Sequence, residues 1–168
     1  MTVGTGAAPS RLVTADAAAT EALGAALAAS FEPAPQRAVI VLLQGDLGAG
    51  KTTLARGLLR ALGVRGSVRS PTFALLEPHD TPRARVIHLD LYRLSSADDL
   101  EALGLADYDE AGTLWLVEWP ERGAGVLPAA DLELRLTAGA AGHEVRLQPL
   151  SPVGQRWLAR LEQVRAST

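Results

Sequence analysis

The chain has 168 residues, of which 48% are hydrophobic, and a formal net charge of −3 at pH 7. This length suits one domain, because single cores rarely grow beyond about 250 residues, and the apolar content is enough to fill a core. The acidic balance argues against a dedicated nucleic-acid surface, which is normally basic. With no cysteine, disulfides and thiolate-bound metal ions are excluded.

Neither a secretory signal nor a membrane span is expected. The amino terminus lacks a basic region followed by an apolar stretch. The longest purely apolar run covers residues 38–43, far short of the roughly 20 residues that a membrane helix needs. We expect a cytoplasmic protein with no membrane contact, folded as one domain over residues 1–168, with residues 1–10 as a disordered tail.

Strand and helix patterns alternate in the first half of the chain. A short strand is expected first, followed by an alanine-rich helix that runs to Ser30, with Thr14 as its N-cap. A run that is apolar on both faces then indicates a buried parallel strand, and the next helix carries a leucine stripe that ends at Gly63. These segments cover residues 11–13, 14–30, 38–44 and 52–63.

Strands dominate the second half. A loop that becomes a strand and a second strand precede a short helix, which Ser95 or Ser96 would cap. A third apolar strand stops at Pro120, and two alternating segments around a glycine-rich turn predict a hairpin, after which an amphipathic helix closes the chain. The segments cover residues 68–78, 85–92, 95–104, 113–119, 131–137, 143–150 and 151–166.

The stretch GDLGAGKT, from Gly45 to Thr52, matches the pattern G-x-x-x-x-G-K-[ST] at every position. Its glycines let the backbone aim several N–H groups at one point, and the helix that follows adds its positive end. Lys51, the only lysine of the chain, places a compact charge on the terminal phosphates, and the Thr52 hydroxyl suits Mg²⁺. The wide fork of an arginine would not fit this cage. We therefore expect a Mg-nucleoside triphosphate site.

This motif lies between a buried strand and a helix, which is the setting in which it binds phosphate. Together with the order of the elements, it predicts an α/β fold. The expected architecture is a P-loop NTPase-like mixed sheet, parallel in the centre and antiparallel at the edge, flanked by helices.

Two strand ends offer the acid that such a site needs for its metal ion. Asp90 ends one strand, and its alternative role is a surface ion pair with Arg93. Glu118 ends another strand after four apolar residues, where a carboxylate is poorly solvated unless a cation meets it. The sequence alone favours the neighbouring Trp119 as a residue that fills core space, with a place in the site as the alternative.

Hydroxyls flank Pro71, since Ser70 precedes it and Thr72 follows it. They are suited to contact a terminal phosphate or its metal ion, as switch loops do, and an ordinary turn into a strand explains them equally well.

The three histidines give no metal-ligand pattern. His79 and His143 are expected at the surface. His88 shares a strand face with Asp90, and it is either a core histidine with a satisfied hydrogen bond or part of the site.

Four motifs, in their order and spacing, resemble those of the bacterial TsaE family. They are GDLGAGKTTLARG, SPTF, HLDLYRL and LVEWPERG, at residues 45–57, 70–73, 88–94 and 116–123. The resemblance implies a small ATPase, slow alone and stimulated by its partners, that is required for the N6-threonylcarbamoyladenosine modification at position 37 of tRNA. It also implies TsaD and TsaB as partners, so that this chain would meet tRNA only indirectly.

The resemblance also assigns roles. It makes Lys51, Asp90 and Glu118 the catalytic residues, with Asp90 orienting the attacking water, and it makes Thr52 and Glu118 the Mg²⁺ ligands. Contacts with adenine are expected around residues 14–17. The residues expected to hold ATP are Gly45, Asp46, Leu47, Gly48, Ala49, Gly50, Lys51, Thr52, Thr53, Ser70, Thr72 and Trp119.

A small-molecule P-loop kinase is the alternative enzyme, and a nucleotide-gated binding module without turnover is a third possibility. A kinase would need an arginine-rich lid, but the segment that carries the candidate arginines, residues 65–85, is predicted to form strands.

Overall fold

Strands and helices follow one another through residues 8–71 and 73–168, which the computed structural model describes. The strands are β1 (Ser10–Thr14), β2 (Val39–Gln44), β3 (Leu76–Asp80), β4 (Arg85–Asp90), β5 (Thr113–Glu118), β6 (Leu132–Gly139) and β7 (Gly142–Pro149). The α-helices are α1 (Ala17–Ser30), α2 (Lys51–Leu62), α3 (Ala97–Glu101) and α4 (Pro152–Ala166). Two short 3-10 helices cover Leu105–Tyr108 and Pro120–Gly123.

The strands form one sheet in the order β1-β7-β6-β2-β5-β4-β3. Strand β2 lies parallel to β5 on one side and to β6 on the other, and β5 lies parallel to β4. The remaining pairs are antiparallel, so antiparallel strands occupy both edges of the sheet. The predicted fold class is confirmed. Because β2, β4, β5 and β6 run in the same direction, their carboxyl ends lie together along one side of the sheet, which we call the carboxyl edge.

Each face of the sheet carries its own apolar core. Helices α1, α2 and α4 cover one face, against which Val39, Val41 and Leu43 of β2 pack. The intervening Ile40 points to the other face, where α3 and the first 3-10 helix contribute Leu100 and other apolar side chains. Within the described residues, no helix is long and apolar enough to cross a membrane.

Helices α1 and α2 approach each other at two glycines. A Cβ atom added at Gly24 would lie 2.2 Å from the carbonyl oxygen of Leu54, and one at Gly57 would lie 2.0 Å from that of Glu21. Neither site has room for a side chain, so the two backbones are in direct contact. This contact fixes the position of α2, whose first turn carries Lys51 and Thr52.

The amino-terminal predictions need two corrections. Thr14 is the last residue of β1, not a helix cap, because it pairs with His143 in the strand register. Asp16 caps α1 instead, accepting a 2.8 Å hydrogen bond from the backbone N–H of Ala19. The predicted tail over residues 1–10 is too long, since Ser10 already belongs to β1; its residues 1–7 lie outside the described part of the chain.

Residues 68–78, predicted to start as a loop and become a strand, do so: the strand begins at Leu76 and continues past the predicted end to Asp80. Before it the chain turns, with the N–H of Leu75 donating to the carbonyl of Pro71 at 2.9 Å and Leu75 itself at a φ of 62°. The predicted short helix, hairpin and closing helix are confirmed, and Ser96 and Ser151 cap α3 and α4.

Candidate functional site

The glycine-rich loop connects the end of β2 to the start of α2. Gly45, Gly48 and Gly50 adopt φ angles of 150°, 78° and 101°, which residues with a side chain rarely adopt. Gly50 is the N-cap of α2, so the unpaired N–H groups of the first helical turn face the loop. A loop of this shape at a helix N-terminus is an anion-binding cradle.

Lys51 points back into this loop. Its ammonium donates hydrogen bonds to the carbonyl oxygens of Gly45 and, at 2.9 Å, of Asp46. It also lies 4.1 Å from the ring centre of Trp119, within the range of a cation–π interaction. Burial lowers the pKa of Lys51, although the carboxylates of Glu118, Glu121 and Asp90 act in the opposite direction.

Glu118 and Asp90 are register partners at the ends of β5 and β4. Parallel pairing therefore brings the two carboxylates to the carboxyl edge of the sheet, beside the loop that follows β2. Both side chains are buried, Glu118 with 1% of its surface exposed and Asp90 with 6%. Two neighbouring buried acids repel each other unless donors or a cation compensate for their charge.

Hydrogen bonds surround the carboxylate of Glu118. Thr52 donates its hydroxyl to Oε1 at 2.8 Å, Ser70 donates to Oε2 at 2.7 Å, and the Nε2 atom of His88 lies 3.1 Å from the same Oε2. Burial raises the pKa of Glu118, but the hydrogen bond and the electrostatic attraction of His88, together with the hydrogen bonds from Ser70 and Thr52, outweigh burial and hold the pKa below its ordinary value. Glu118 is therefore a carboxylate that is ready to meet a cation.

Asp90 shares a partner with Glu118. The Ser70 hydroxyl contacts Oδ2 of Asp90, and the backbone N–H of Tyr92 donates to Oδ1 at 3.0 Å. Arg93, the surface partner that the sequence offered for Asp90, lies instead 4.9 Å from the ring centre of Phe73. Asp90 thus belongs to the buried cluster at the carboxyl edge.

Trp119 follows Glu118 in a left-handed conformation, with a φ of 58°. This backbone conformation costs free energy for a residue other than glycine, and it is more frequent at functional sites than elsewhere. Its ring packs against the second core and covers the ammonium of Lys51, and its centre lies 4.8 Å from that of the Tyr92 ring, with the two ring planes tilted by 48°. Trp119 therefore does both things that the sequence left open: it fills core space and it lines the site.

An open cavity of about 400 Å³ joins the loop to the two acids. Of the residues predicted to act here, those that line it are Leu47, Gly48, Gly50, Lys51, Thr52, Thr53, Ser70, Asp90, Glu118 and Trp119. Gly45, Asp46 and Ala49 face a second cavity, of about 310 Å³, on the other side of the loop. Thr72 lies outside the described residues, so its contact with ATP stays a prediction.

Three further residues line the larger cavity: Tyr92, Arg93 and His143. The expectation that His143 is a surface residue is wrong, since the ring is half-buried and its Nδ1 atom would lie 3.0 Å from a Cβ atom built on Gly50. The predicted hairpin could have indicated that His143 lies near the site. Strand β7 runs antiparallel to β6, so its first residues lie where β6 ends, at the carboxyl edge.

The oxygen atoms at this edge suit a small hard cation. A Thr hydroxyl and a carboxylate oxygen lie 2.8 Å apart at Thr52 and Glu118, and the remaining acid of the cluster also presents oxygen. No group of three or more His, Cys, Asp or Glu residues that could enclose a metal ion occurs in residues 8–71 and 73–168. A cation held here would need a bound ligand to complete its coordination, as Mg²⁺ does with phosphates.

A glycine loop between a buried strand and a helix, with one acid at the end of the adjacent strand β5 and a second at the end of β4 beyond it, is the arrangement of a P-loop-type α/β fold. The sequence profile of the family described as "Threonylcarbamoyl adenosine biosynthesis protein TsaE" matches residues 14–146. The chain belongs to the TsaE family, and the resemblance found in its motifs is confirmed.

Individual relatives agree with this assignment. The chain is 42% identical over 125 residues to the tRNA threonylcarbamoyladenosine biosynthesis protein TsaE of Streptomyces coelicolor, covering 70% of this chain and 82% of that protein. It is 46% identical over 97 residues to the protein of the same name from Haemophilus influenzae, where the match covers 58% of this chain and 61% of the relative, less than two thirds of its length.

A solved structure supports the fold. The crystal structure of Bacillus subtilis YdiB superposes with a TM-score of 0.69, covering 95% of this chain and 96% of the other, at 24% sequence identity.

Proposed function

We propose that this protein binds and hydrolyses ATP with Mg²⁺, and that it serves the N6-threonylcarbamoyladenosine modification of tRNA at position 37 as a cytoplasmic accessory of a TsaD–TsaB complex. One observation carries the ATPase part of the proposal: the hydroxyl of Thr52 and the carboxylate of Glu118 meet at 2.8 Å beside the phosphate loop. Membership of the TsaE family supports the pathway.

The phosphates of ATP would lie against the loop N–H groups, with Lys51 beside them. The ammonium already lies in the cradle, where it is hydrogen-bonded to the carbonyls of Gly45 and Asp46. Phosphate oxygens are stronger acceptors than these carbonyls, because they carry negative charge. We expect Lys51 to exchange its partners when the nucleotide binds, while Trp119 continues to shield it from water.

The oxygens of Thr52 and Glu118 would hold Mg²⁺, which when bound neutralises charge on the terminal phosphates. Glu118 then takes the position that an aspartate commonly holds in such sites. Asp90, the other acid at the carboxyl edge, would accept a hydrogen bond from the attacking water and orient it. Its oxygens are fixed for this task by Ser70 and by the N–H of Tyr92.

The nucleoside would lie on the far side of the phosphate loop from the acids. Strands β5 and β4 carry Glu118 and Asp90 on one side of β2, whereas His143 of β7 lies on the other side, two strands away. The hydroxyl of Thr14 lies 3.4 Å from the carbonyl oxygen of His143, so residues 14–17 are neighbours of this end of the cavity. These residues are our candidates for contacts with adenine.

Hydrolysis by the chain alone should be slow. Fast phosphoryl transfer usually requires an arginine that stabilises the charge of the transition state. Arg93 lines the cavity, but its guanidinium lies over the ring of Phe73 rather than on the acids or the loop. A partner that repositions Arg93, or that supplies its own cation, would accelerate the reaction. The net charge of −3 is consistent with a partner, rather than this chain, carrying the tRNA.

Phosphate release from MgATP tests the proposal. The chain alone should release phosphate slowly, and addition of both TsaD and TsaB should raise the rate. Transfer of the phosphate to a metabolite would instead establish a kinase, and binding without hydrolysis in the presence of both partners would establish a binding module.

The variants Lys51→Ala and Lys51→Arg form a matched pair that tests the role of the lysine in this experiment. Both should lose tight binding of ATP, the first because it removes the charge and the second because a guanidinium does not fit the cradle. Unchanged nucleotide affinity in Lys51→Ala would rule out the phosphate-loop assignment.

A further inference from the structure

His88 is a buried polar side chain that the roles assigned above do not use. It lies in β4, two residues before Asp90, so both side chains point to the same face of the sheet. Its side chain has 0% exposed surface, and Nε2 lies 3.1 Å from Oε2 of Glu118 on the adjacent strand. A fully buried imidazole in contact with a carboxylate needs a reason, because an apolar side chain of the same volume would pack without polar atoms to satisfy.

The hydrogen bonds determine how the imidazole is oriented. Its second nitrogen, Nδ1, is buried and has no hydrogen-bond partner among the described residues. A hydrogen on Nδ1 would leave a buried donor unpaired, whereas a hydrogen on Nε2 is donated to a carboxylate. His88 therefore donates its Nε2–H to Glu118.

This donation acts on one oxygen of the carboxylate. Oε2 of Glu118 receives His88 and Ser70, while Oε1 receives Thr52. The carboxylate plane is thus anchored from the side of β4, and Oε1 is kept at the side where Thr52 lies. Without the imidazole, Oε2 would keep only the Ser70 hydroxyl, which also contacts Asp90, and the orientation of Oε1 toward Thr52 would be held less firmly.

We infer that His88 is a positioning residue: it orients Glu118 so that one carboxylate oxygen stays directed toward Thr52 and the Mg²⁺ of a bound nucleotide. The inference rests on the proposed function, since it concerns the same metal ion. Residues that hydrogen-bond to metal ligands commonly contribute to metal affinity, and their loss weakens metal binding by roughly tenfold to a hundredfold. His88 itself touches neither the metal ion nor the nucleotide in this scheme.

Three variants separate donation from core filling. His88→Gln keeps an N–H at nearly the distance of Nε2, His88→Asn keeps an N–H on a shorter side chain that does not reach Oε2, and His88→Leu keeps the volume without a donor. The measurement is the affinity for a fluorescent ATP analogue, titrated with Mg²⁺ and repeated with a chelator. The unfolding midpoint of each variant is measured in the same samples.

We expect His88→Leu and His88→Asn to need at least roughly ten times the Mg²⁺ concentration of the wild type to reach the same nucleotide affinity. The Mg²⁺ concentration that His88→Gln needs should stay within about threefold of the wild-type value. With the chelator all four proteins should bind equally, because the phosphate loop is intact. If His88→Leu does not fold, the contrast between the Gln and Asn variants decides alone.

Equal Mg²⁺ dependence in the Asn and Gln variants, or in Leu and wild type, would overturn the positioning role. This result differs from a failure of the proposed function, in which the wild type itself would show no nucleotide binding.

Discussion

Two buried carboxylates lie at opposite ends of the parallel strands, and the fold compensates their negative charges in different ways. Asp131, just before β6, is 0% exposed and lies at the edge where the parallel strands begin. Arg37 grips it with two hydrogen bonds of 2.7 and 2.9 Å, and it also accepts from the N–H of Ile40 at 2.9 Å and from the hydroxyl of Ser151 at 2.5 Å. Its charge is neutralised entirely within the protein.

Glu118 is buried to the same extent, yet no guanidinium neutralises it. Its hydrogen-bond partners are two hydroxyls and an imidazole, and the Lys51 ammonium, whose pKa it acts to raise, is hydrogen-bonded to the loop carbonyls rather than to the carboxylate. The comparison teaches how to tell a structural acid from a binding acid. A structural acid is paired with a cationic side chain that bonds directly to its carboxylate. A binding acid is held by hydrogen-bond donors beside a cavity, where a cation from solution can reach it.

The largest effect on stability is expected from Asp131→Asn. This change leaves Arg37 without its carboxylate and removes the link between the starts of β2, β6 and α4. The free energy of unfolding should fall by about 3 kcal/mol, the lower end for a broken buried ion pair, because Arg37 is partly exposed. Urea unfolding measures it, and nucleotide affinity should be unchanged. A loss below about 1 kcal/mol would mean that the ion pair is dispensable.

Glu118→Gln should behave in the opposite way. Nucleotide affinity in Mg²⁺ should fall by a factor on the order of 100, because a metal ligand is lost, while the free energy of unfolding changes by about 1 kcal/mol or less. Glu110→Gln, an exposed acid just before the same strand, is the control for loss of charge and should have no effect on binding. Normal hydrolysis by Glu118→Gln would make Glu118 a structural acid and Asp90 the better metal ligand.

Acid should weaken the wild type more than Asp131→Asn. Burial raises the pKa of Asp131, but the hydrogen bond from Arg37, with those from Ser151 and Ile40, lowers it below the ordinary value. A carboxyl group with a lowered pKa stabilises the fold above its unfolded pKa of about 4, and this contribution disappears as the pH falls through the folded value. Urea unfolding between neutral and acidic pH should therefore show a steeper loss for the wild type; parallel curves would contradict the assignment.

The smallest effects come from the two serines that serve the two acids. Ser151→Ala removes the cap of α4 and a hydrogen bond to Asp131, so stability should fall by about 1 kcal/mol without a change in nucleotide binding. Ser70→Ala removes the hydroxyl between Asp90 and Glu118, so turnover should fall more than stability. If both variants lost only stability, the two edges of the sheet would not differ in the way proposed.

Local patterns explain why much of this fold was predictable. The phosphate loop, the strands that flank it and the leucine stripe of α2 are contiguous in sequence, and their spacing alone predicts them. Asp90 and Glu118 end apolar strands, so their place at one edge follows from parallel pairing.

Long-range partners explain what could not be predicted. In the sequence, Asp131 is only the first residue of a predicted strand, and no local pattern links it to Arg37, 94 residues earlier. His143 appeared to be a surface residue because its neighbour across the sheet, the phosphate loop, is distant in sequence and depends on the strand order. Thr14 appeared to be a helix cap because its pairing with β7 leaves no mark on the local pattern.

The position of Lys51 has a practical consequence for labelling chemistry. Because every other cationic side chain of Lys or Arg type is an arginine, an acylating reagent specific for amines finds one side-chain target in the whole protein. The lowered pKa of that amine enlarges its unprotonated, nucleophilic fraction, while its seat in the cradle limits access. Covalent labelling of this single site, followed by mass spectrometry, would report directly on whether the phosphate cradle is empty or filled.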